Sequence, residues 1–511
     1  MRQQYTTRPH HRPRHWLALG AAAALLAACG GGSGSGNPPD GDAPRAPFAG
    51  DRIEPYDPGP PLTFNAAAAK NAPRARAAAE HIATVRLPAS WPQAKIATPA
   101  QDKSGALPIG AARAVPDTAS SAATQALLHW HAAADGTQVA ALRFVSPAAH
   151  GVRLGVHVQA LPEGALLRAY GSDAGAAVEI TQAALQQMAA RNAADAHATA
   201  QDIHTWWSPD FAGEATTLEV QIPPAADPQA VQIAVPRLMH HLLSLQEAVD
   251  SYDFTPAKDV GDSASCHINA ACSPESALES RAVARMVYVR GDASYLCSGT
   301  LLNDAQNSAT PHLLTAAHCI STQREASSLT TDWFFRASSC GGTRAQEARQ
   351  RLPGGATLLY SGADTDVTLL RLDATPPPGV AFAGSYFGAP PPVGNTAVSG
   401  LHHPSGDLQK VSASTLRGVR NCEFSGQDSF GCERAPARVE NGRFWEVVWQ
   451  QGSTEPGSSG SALFATQGNT RYVIGQLSGG SATCQNPQGS DYYGRFDLAW
   501  RAGLRDWLAP D

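Results

Sequence analysis

The sequence is short of lysine, of net charge and of long apolar runs. Only five lysines occur in 511 residues, Lys70, Lys95, Lys103, Lys258 and Lys410. With 38 basic against 44 acidic residues the net charge is −6, so this is no polycation built to neutralise phosphates, and nucleic-acid binding is not expected. No apolar run reaches about 20 residues, which excludes a polytopic membrane protein. A repeat of fixed period, a phosphate-binding glycine loop and a His-Glu-x-x-His zinc helix are all missing. The adjacent pairs His240-His241 and His402-His403 point their side chains apart on a helix or strand, so neither forms a two-ligand metal site by itself. No metal and no cofactor is expected. What remains, 43% hydrophobic and 16% charged with 46 Gly and 38 Pro, reads as a globular chain with long loops or linkers.

The first residues read as an address. Arg2, Arg8, Arg12 and Arg14 precede an apolar stretch from Trp16 to Ala28, which ends Leu26-Ala27-Ala28-Cys29. A basic start, a short apolar middle and small residues before the cut make an export signal over 1–28, too short for a permanent span. After it, 29–61 is Gly/Ser-rich and then Pro/Asp-rich, the composition of a flexible tether. The cysteines should then be read for an oxidising compartment.

Cysteine marks the main boundary. Residues 62–258 contain none, whereas eight of the nine lie beyond 259. Within 62–258, alternating stretches at Gln138 to Val145, Val152 to Gln159 and Thr217 to Gln221 are separated by turn signals such as Asp135-Gly136. They predict strands of a β-sandwich. Ile180 to Ala200 and Val235 to Val249 are expected to be helical.

The chemistry lies in 259–511. Thr315-Ala316-Ala317-His318-Cys319, then Asp364-Thr365-Asp366-Val367, then Gly457-Ser458-Ser459-Gly460-Ser461 follow one another, with His318, Asp366 and Ser459 spaced by 48 and 93 residues. A serine hydroxyl becomes a useful nucleophile when an imidazole takes its proton, and a carboxylate holds that imidazole in the required tautomer. Glycines around the serine let backbone N–H groups converge on a developing oxyanion. For His318 the alternative is a core histidine beside a bridge. For Asp366 it is a turn acid, with Asp364 or Asp373 as the real partner. The order His, Asp, Ser is not that of α/β-hydrolases, whose serine comes first, although a triad acts on any acyl group and an esterase remains a third reading.

These segments resemble trypsin-like serine proteases, with Asp366 preferred because Asp-x-x-Leu-Leu follows. The resemblance implies an all-β catalytic domain, a chymotrypsin-like double β-barrel, preceded by a mainly β-sandwich pro-domain. It makes His318 the general base, Asp366 its orienter, Ser459 the nucleophile, and the N–H groups of Gly457 and Ser459 the oxyanion hole. The likeness is closer to bacterial lysyl endopeptidases over roughly 261–508. Thr454-Glu455-Pro456-Gly457-Ser458-Ser459-Gly460-Ser461, Cys297-Ser298-Gly299-Thr300-Leu301, His402-His403-Pro404, Gly475-Gln476-Leu477 and Asp491-Tyr492-Tyr493-Gly494-Arg495 carry it. Family pairing implies disulfides Cys266–Cys484, Cys272–Cys340 and Cys297–Cys319, and leaves Cys422 to pair with Cys432. Eight cysteines allow 105 connectivities, so spacing alone would not choose this one. Cys29 is then the odd cysteine, and Leu-Ala-Ala-Cys resembles a lipobox whose Cys becomes the lipid-bearing first residue of the mature chain.

The resemblance also sets expectations for specificity. Trypsin's pocket acid, six residues before the nucleophile, is replaced by Ser453. Lysyl endopeptidases carry an acid at the position of Asp491, which would face a Lys or Arg side chain, with Ser478 and Gly479 beside it. Their His after Gly-Gln-Leu is Ser478 here, and their tryptophan partner to that His has no counterpart in 421–441. An activating N-terminal ion pair is not expected either, because Ser458 stands where trypsin has an Asp. Trp206-Trp207-Ser208-Pro209-Asp210 through Leu218-Glu219-Val220 resembles the pro-regions of these proteases. The expectation is an exported, monomeric serine endopeptidase of the bacterial cell envelope, held at the outer membrane by a lipid on Cys29. It acts on polypeptides after basic residues, with release near Lys258. The competing expectation is a silent, surface-tethered binding lipoprotein on a protease scaffold.

Overall fold

A computed structural model describes residues 51–59, 73–89, 105–171, 177–196, 198–242, 263–424, 430–434 and 436–510, and the statements below concern these. The export signal, Cys29 and Lys258 lie outside them. The described residues belong to one compact unit, and no helix among them is long and apolar enough to cross a membrane.

Residues 83–242 form the expected sandwich. One sheet carries Gln138–Val145 at its centre, flanked by Ala215–Ile222 and, in parallel, by Ile82–Arg86. The other carries Gln232–His241 between Leu107–Ala114 and Gly151–Ala160. Leu142, Phe144, Leu167 and Val220 of the first sheet pack on Val152, Leu154, Ile233 and Leu238 of the second. Gln138 to Val145 is a strand of that length, with Leu142 and Phe144 in the core between the sheets and most of its other face buried as well.

Two helical expectations change. Ile180 to Ala200 divides into the end of the strand Val178–Thr181, the helix Gln182–Asn192 capped by the Thr181 hydroxyl, and a short turn at Ala200–Ile203. Of Val235 to Val249, the described part is strand, Gln232–His241. Val235, Leu238, Met239 and Leu242 recur with helical spacing, but they do so across the strand's register shift between Ala234 and Arg237, where its alternation is broken, so periodicity cannot separate the two. Pro236, which lacks an N–H, lies within the register shift between Ala234 and Arg237.

The remainder has the expected two barrels. In the second, the strands Thr470–Gly480, Ala462–Gln467, Ala397–His402, Lys410–Arg420, Phe444–Val447 and Asp491–Arg495 pair in that order, and the last returns to the first to close a six-stranded ring. The first is a half-barrel built on Val283–Arg290, Ala293–Leu302, His312–Ala316 and Val367–Leu372. Its core and that of the sandwich are separate clusters, yet Ala293–Leu302 also pairs with Leu107–Ala114, so one sheet runs through both.

The four disulfides are Cys266–Cys484, Cys272–Cys340, Cys297–Cys319 and Cys422–Cys432, the expected set. The tether expected over 29–61 does not extend through 51–59. There Arg52–Ile53 pairs with Ser385 and Tyr386, Tyr56 exchanges backbone hydrogen bonds with Phe382, and Tyr472 donates to Glu54 at 2.6 Å. Ile53 is buried in the core cluster of the first barrel.

Candidate active site

His318 follows the strand His312–Ala316 in a tight turn, where the N–H groups of Cys319 and Ile320 both return to the Ala316 carbonyl. Three further contacts fix the turn. Cys319 is bridged to Cys297, the Arg290 guanidinium donates to the His318 carbonyl at 2.7 Å, and Asp366 accepts from the His318 N–H at 2.8 Å. The other Asp366 oxygen lies 2.7 Å from His318 Nδ1, and Nε2 lies 3.7 Å from the Cys319 sulfur.

Asp366 holds this pose at a backbone φ of 52°, a region costly for residues other than glycine. Neighbours enforce it. Gln476 Nε2 donates to the carbonyls of Thr365 and Asp366 at 2.8 and 2.9 Å, and the Ala317 N–H donates to the latter. A Cβ on Gly494 would lie 1.8 Å from the Thr365 carbonyl, so only glycine fits opposite this turn. The alternatives fall away: Asp364 is 95% exposed, and Asp373 pairs with Arg191 of the sandwich at 2.6 Å.

Ser459 occupies a turn between the two barrels. Its carbonyl accepts from the Ser298 N–H at 2.8 Å, and the Ser298 hydroxyl donates to the Gly457 carbonyl at 2.9 Å. Gly460 packs so closely on Thr315 and Ala316 that an added Cβ would stand 2.2 Å from the Thr315 hydroxyl, which brings the serine turn against the segment leading to His318. Gly457 and Gly460 both adopt positive φ. Ser458, Gly460 and Ser461 spend their N–H groups on Glu455, Leu477 and Ser458, whereas those of Gly457 and Ser459 donate to no acceptor among the described residues.

Where trypsin has an acid, Ser458 exchanges a 2.8 Å hydrogen bond with buried His402, whose other nitrogen meets Ser412. The neighbouring His403 turns the opposite way, to the Asp407 carbonyl, and burial holds its imidazole down to about 4. The N–H of Ala264 donates to Glu455, so the start of this half is tied to the serine loop by a backbone amide in the uncut chain.

Asp491 opens the strand Asp491–Arg495 and is fully buried, one of its oxygens accepting from Trp449 Nε1 and the Thr454 hydroxyl, each at 2.7 Å. On the neighbouring strand Gly480 and Gly479 are paired with Asp491 and Tyr492, and Ser478 is the extra residue of a bulge. The Ser478 hydroxyl is buried and finds no protein partner among the described residues. The two Cys/His groupings with metal-like spacing, around His267 and around His318, are built on disulfide sulfurs, which lack the thiolate that metals bind.

Several residues at the site carry no local signal. Phe424, on the Cys422–Cys432 hairpin, places its ring 5.4 Å from that of His318. Arg290 and Trp449 are visible only through contacts of 28 and 42 residues' separation.

Two family models match the chain. One, described as the lysyl endopeptidase C-terminal domain, covers residues 260–494, and the other, the lysyl endopeptidase N-terminal domain, covers 83–242. A lysyl endopeptidase of Pseudomonas aeruginosa is 30% identical over 371 residues, 70% of this chain and 72% of that protein. The chain belongs to the lysyl endopeptidase family. It is a serine endopeptidase, and its substrates are polypeptides. A secreted RxLR effector protein 73 of Plasmopara viticola is 27% identical over 233 residues, 44% of this chain and 51% of the effector. Among solved structures, the active form of the Rv3671c protease from M. tuberculosis superposes with a TM-score of 0.31 and 18% identity, over 51% of this chain and 94% of that one. The likeness of 206–220 to pro-regions falls within the matched N-terminal domain.

Proposed function

We propose that His318, Asp366 and Ser459 form the triad of this endopeptidase and that it cleaves after basic residues. The observation that carries the reading is the 2.7 Å bond from His318 Nδ1 to Asp366, in a turn packed against the Ser459 loop. The Ser459 hydroxyl attacks the scissile carbonyl as His318 Nε2 takes its proton, and the C–O bond forms as the carbonyl oxygen becomes an oxyanion. The unspent N–H groups of Gly457 and Ser459 receive that oxyanion, each such donor being worth about 3 kcal/mol in the transition state. The imidazolium returns its proton to the departing amine, and water then repeats the sequence to free the acid. Asp366 keeps the imidazole in one tautomer throughout.

Asp491 supplies the negative charge at the bottom of the pocket. A Lys or Arg head group entering there would meet a carboxylate already oriented by Trp449 and Thr454, in dry surroundings where charges attract strongly. The test is a panel of Lys-, Arg- and Leu-terminated peptide amides and esters on the full chain and on Ser459→Ala. Hydrolysis of Lys or Arg amides, falling at least about a thousandfold in the variant, is the expected outcome. The Lys-to-Arg ratio reads what the pocket does with Ser478 in it. No turnover of any substrate would favour the silent binding lipoprotein instead.

The remainder of the proposal rests on sequence. The chain is exported, lipid-anchored through Cys29 at the outer membrane, and its first half acts as a pro-domain removed near Lys258. Mass spectrometry of the exported protein tests both points. A mature form with no lipid mass at Cys29, or one that always retains 83–258, would sink the corresponding part.

A further inference from the structure

The sandwich reaches the protease at one place of chemical consequence, the strand Ala293–Leu302. Its residues 300–302 pair with His312–Ala316, but on the same flank residues 293–296 pair with Leu107–Ala114 of the sandwich, Leu296 opposite Leu107 and Ala293 opposite Ala111. Without that strand, the edge at 293–296 would be bare. The edge leads straight into the site: Leu296 is followed by Cys297, bridged to the neighbour of His318, and by Ser298, whose N–H holds the Ser459 carbonyl. A Leu296 methyl lies 3.0 Å from where a Cβ on Gly457 would be. Leu107 and Ile109 pack on Leu296 and Val287 in one apolar cluster. The sandwich strand therefore begins about two residues, roughly 7 Å, from the nucleophile's own strand contact.

Direction matters as much as distance. The specificity acid Asp491 and the strand at 478–480 lie on the second barrel, so the acyl half of a substrate extends to that side of Ser459. The half beyond the scissile bond must leave on the other side, past Cys297–Cys319 and along 296 toward 293. A peptide leaving that way runs antiparallel to Ala293–Leu302, and Leu107–Ala114 is antiparallel to it as well. The two would compete for the same backbone donors and acceptors, as in strand addition to an open sheet edge. Other polar contacts from the sandwich also end on the first barrel, among them His241 on Ser294, Arg237 on Asp292, Arg153 on Ser328, Asp202 on Arg324, Asp210 on Arg351 and Arg191 on Asp373. None of these touches Asp491 or its supports.

We propose that Leu107–Ala114 occupies the subsite for the leaving-group half of a substrate. The uncut chain then accepts substrates that end just past the scissile bond and rejects those that continue as a polypeptide. The proposal rests on Ser459 being the nucleophile, and it makes the sandwich a selective block rather than a complete cover.

The test uses the full chain and two probes, a Lys-terminated peptide anilide and an internally quenched peptide with the same residues up to the Lys and four more beyond it. Ala111→Cys with Ala293→Cys joins register partners whose spacing in an antiparallel pair suits a disulfide, and it staples the strand in place. Ile109→Asp loosens it, with Leu107→Ser as a milder substitute should the charge prevent folding. Expected is anilide hydrolysis within about threefold in all chains, and a ratio of extended-peptide to anilide turnover at least about tenfold lower in the stapled chain than in the loosened one. Equal ratios in the two would overturn the proposal while leaving the protease reading intact. Failure of every chain to cut either probe would sink the nucleophile assignment, and this subsite with it.

Discussion

The two halves of the molecule are held together by different chemistry. The protease half carries four disulfides, all between 266 and 484, whereas the sandwich has no cysteine and no covalent link crosses the boundary. Among the non-covalent contacts that cross instead, besides the shared strand and the docked segment 51–59, is a chain of charges. Asp210 of the sandwich meets Arg351 at 3.1 Å, Arg351 meets Asp332 at 2.7 Å, and Asp332 meets Arg285 at 2.9 Å. Arg285 then donates to the Gly406 carbonyl, beside the loop that holds Gly457. Covalent cross-links persist through a backbone cut and non-covalent ones can let go. The difference is the one that the proposed removal of the first half would require.

The largest expected effect comes from removing the longest cross-link. Cys266→Ser with Cys484→Ser opens a loop of 218 residues, for which the chain-entropy model gives about 5 kcal/mol. Urea unfolding followed by a probe in each half should show the protease transition move to lower denaturant while the sandwich transition stays. Movement of both together would mean that the halves unfold as one unit and that the contrast is one of composition only.

Arg351→Met attacks the other side of the contrast. Burial alone would raise the carboxyl of Asp332, but Arg351 and Arg285 overcome that and hold it at about 2. With Arg351 gone, Asp332 and Asp210 keep their burial and lose a shared counter-charge, a kind of change that costs about 3–5 kcal/mol. Here both transitions should shift, and limited proteolysis between 243 and 262 should release the sandwich faster than in the parent. An unchanged rate of release would place the hold elsewhere, in the strand pairing of Leu107–Ala114.

How much could be read beforehand divides along the same line. In the protease half the signals were local. His318, Asp366 and Ser459, the proposed triad, sit in short segments whose residue types suit that chemistry, and the cysteine pairs follow from the family likeness. In the sandwich, alternation of residue type marked Thr217 to Gln221 within Ala215–Ile222, although both faces of that strand and of Gln138–Val145 are largely buried. Gln232–His241 gave no such signal because Val235, Leu238 and Met239 fall at helical spacing across its register shift between Ala234 and Arg237. Phe424, Arg290 and Trp449 escaped notice for another reason: each acts through a partner far along the chain, and nothing in its own neighbourhood differs from ordinary core or surface. The docking of 51–59 across 330 residues of sequence belongs with them.

The smallest expected effect is a pH response, and it compares the halves through one histidine each. His240, in the sandwich, lies 2.8 Å from the Ser146 hydroxyl, which also accepts from Arg113. Burial, with the Arg113 charge adding to it, holds His240 down to about 4, and a neutral imidazole can accept the proton of the Ser146 hydroxyl. His403 is held there by burial in the protease half. An unfolded histidine titrates near 6.5. Between about 6.5 and 4 the unfolded chain therefore binds protons that the folded chain refuses, so stability is complete above that window and declines as pH falls through it. Asp332 acts lower, its contribution present above about 3.9 and lost as pH falls toward about 2. In urea titrations, His240→Gln should flatten the first decline for the sandwich transition alone and leave the protease transition with its parental slope. If the slope instead flattened equally in both, the boundary charges would be coupling the halves more tightly than the absence of a disulfide suggests.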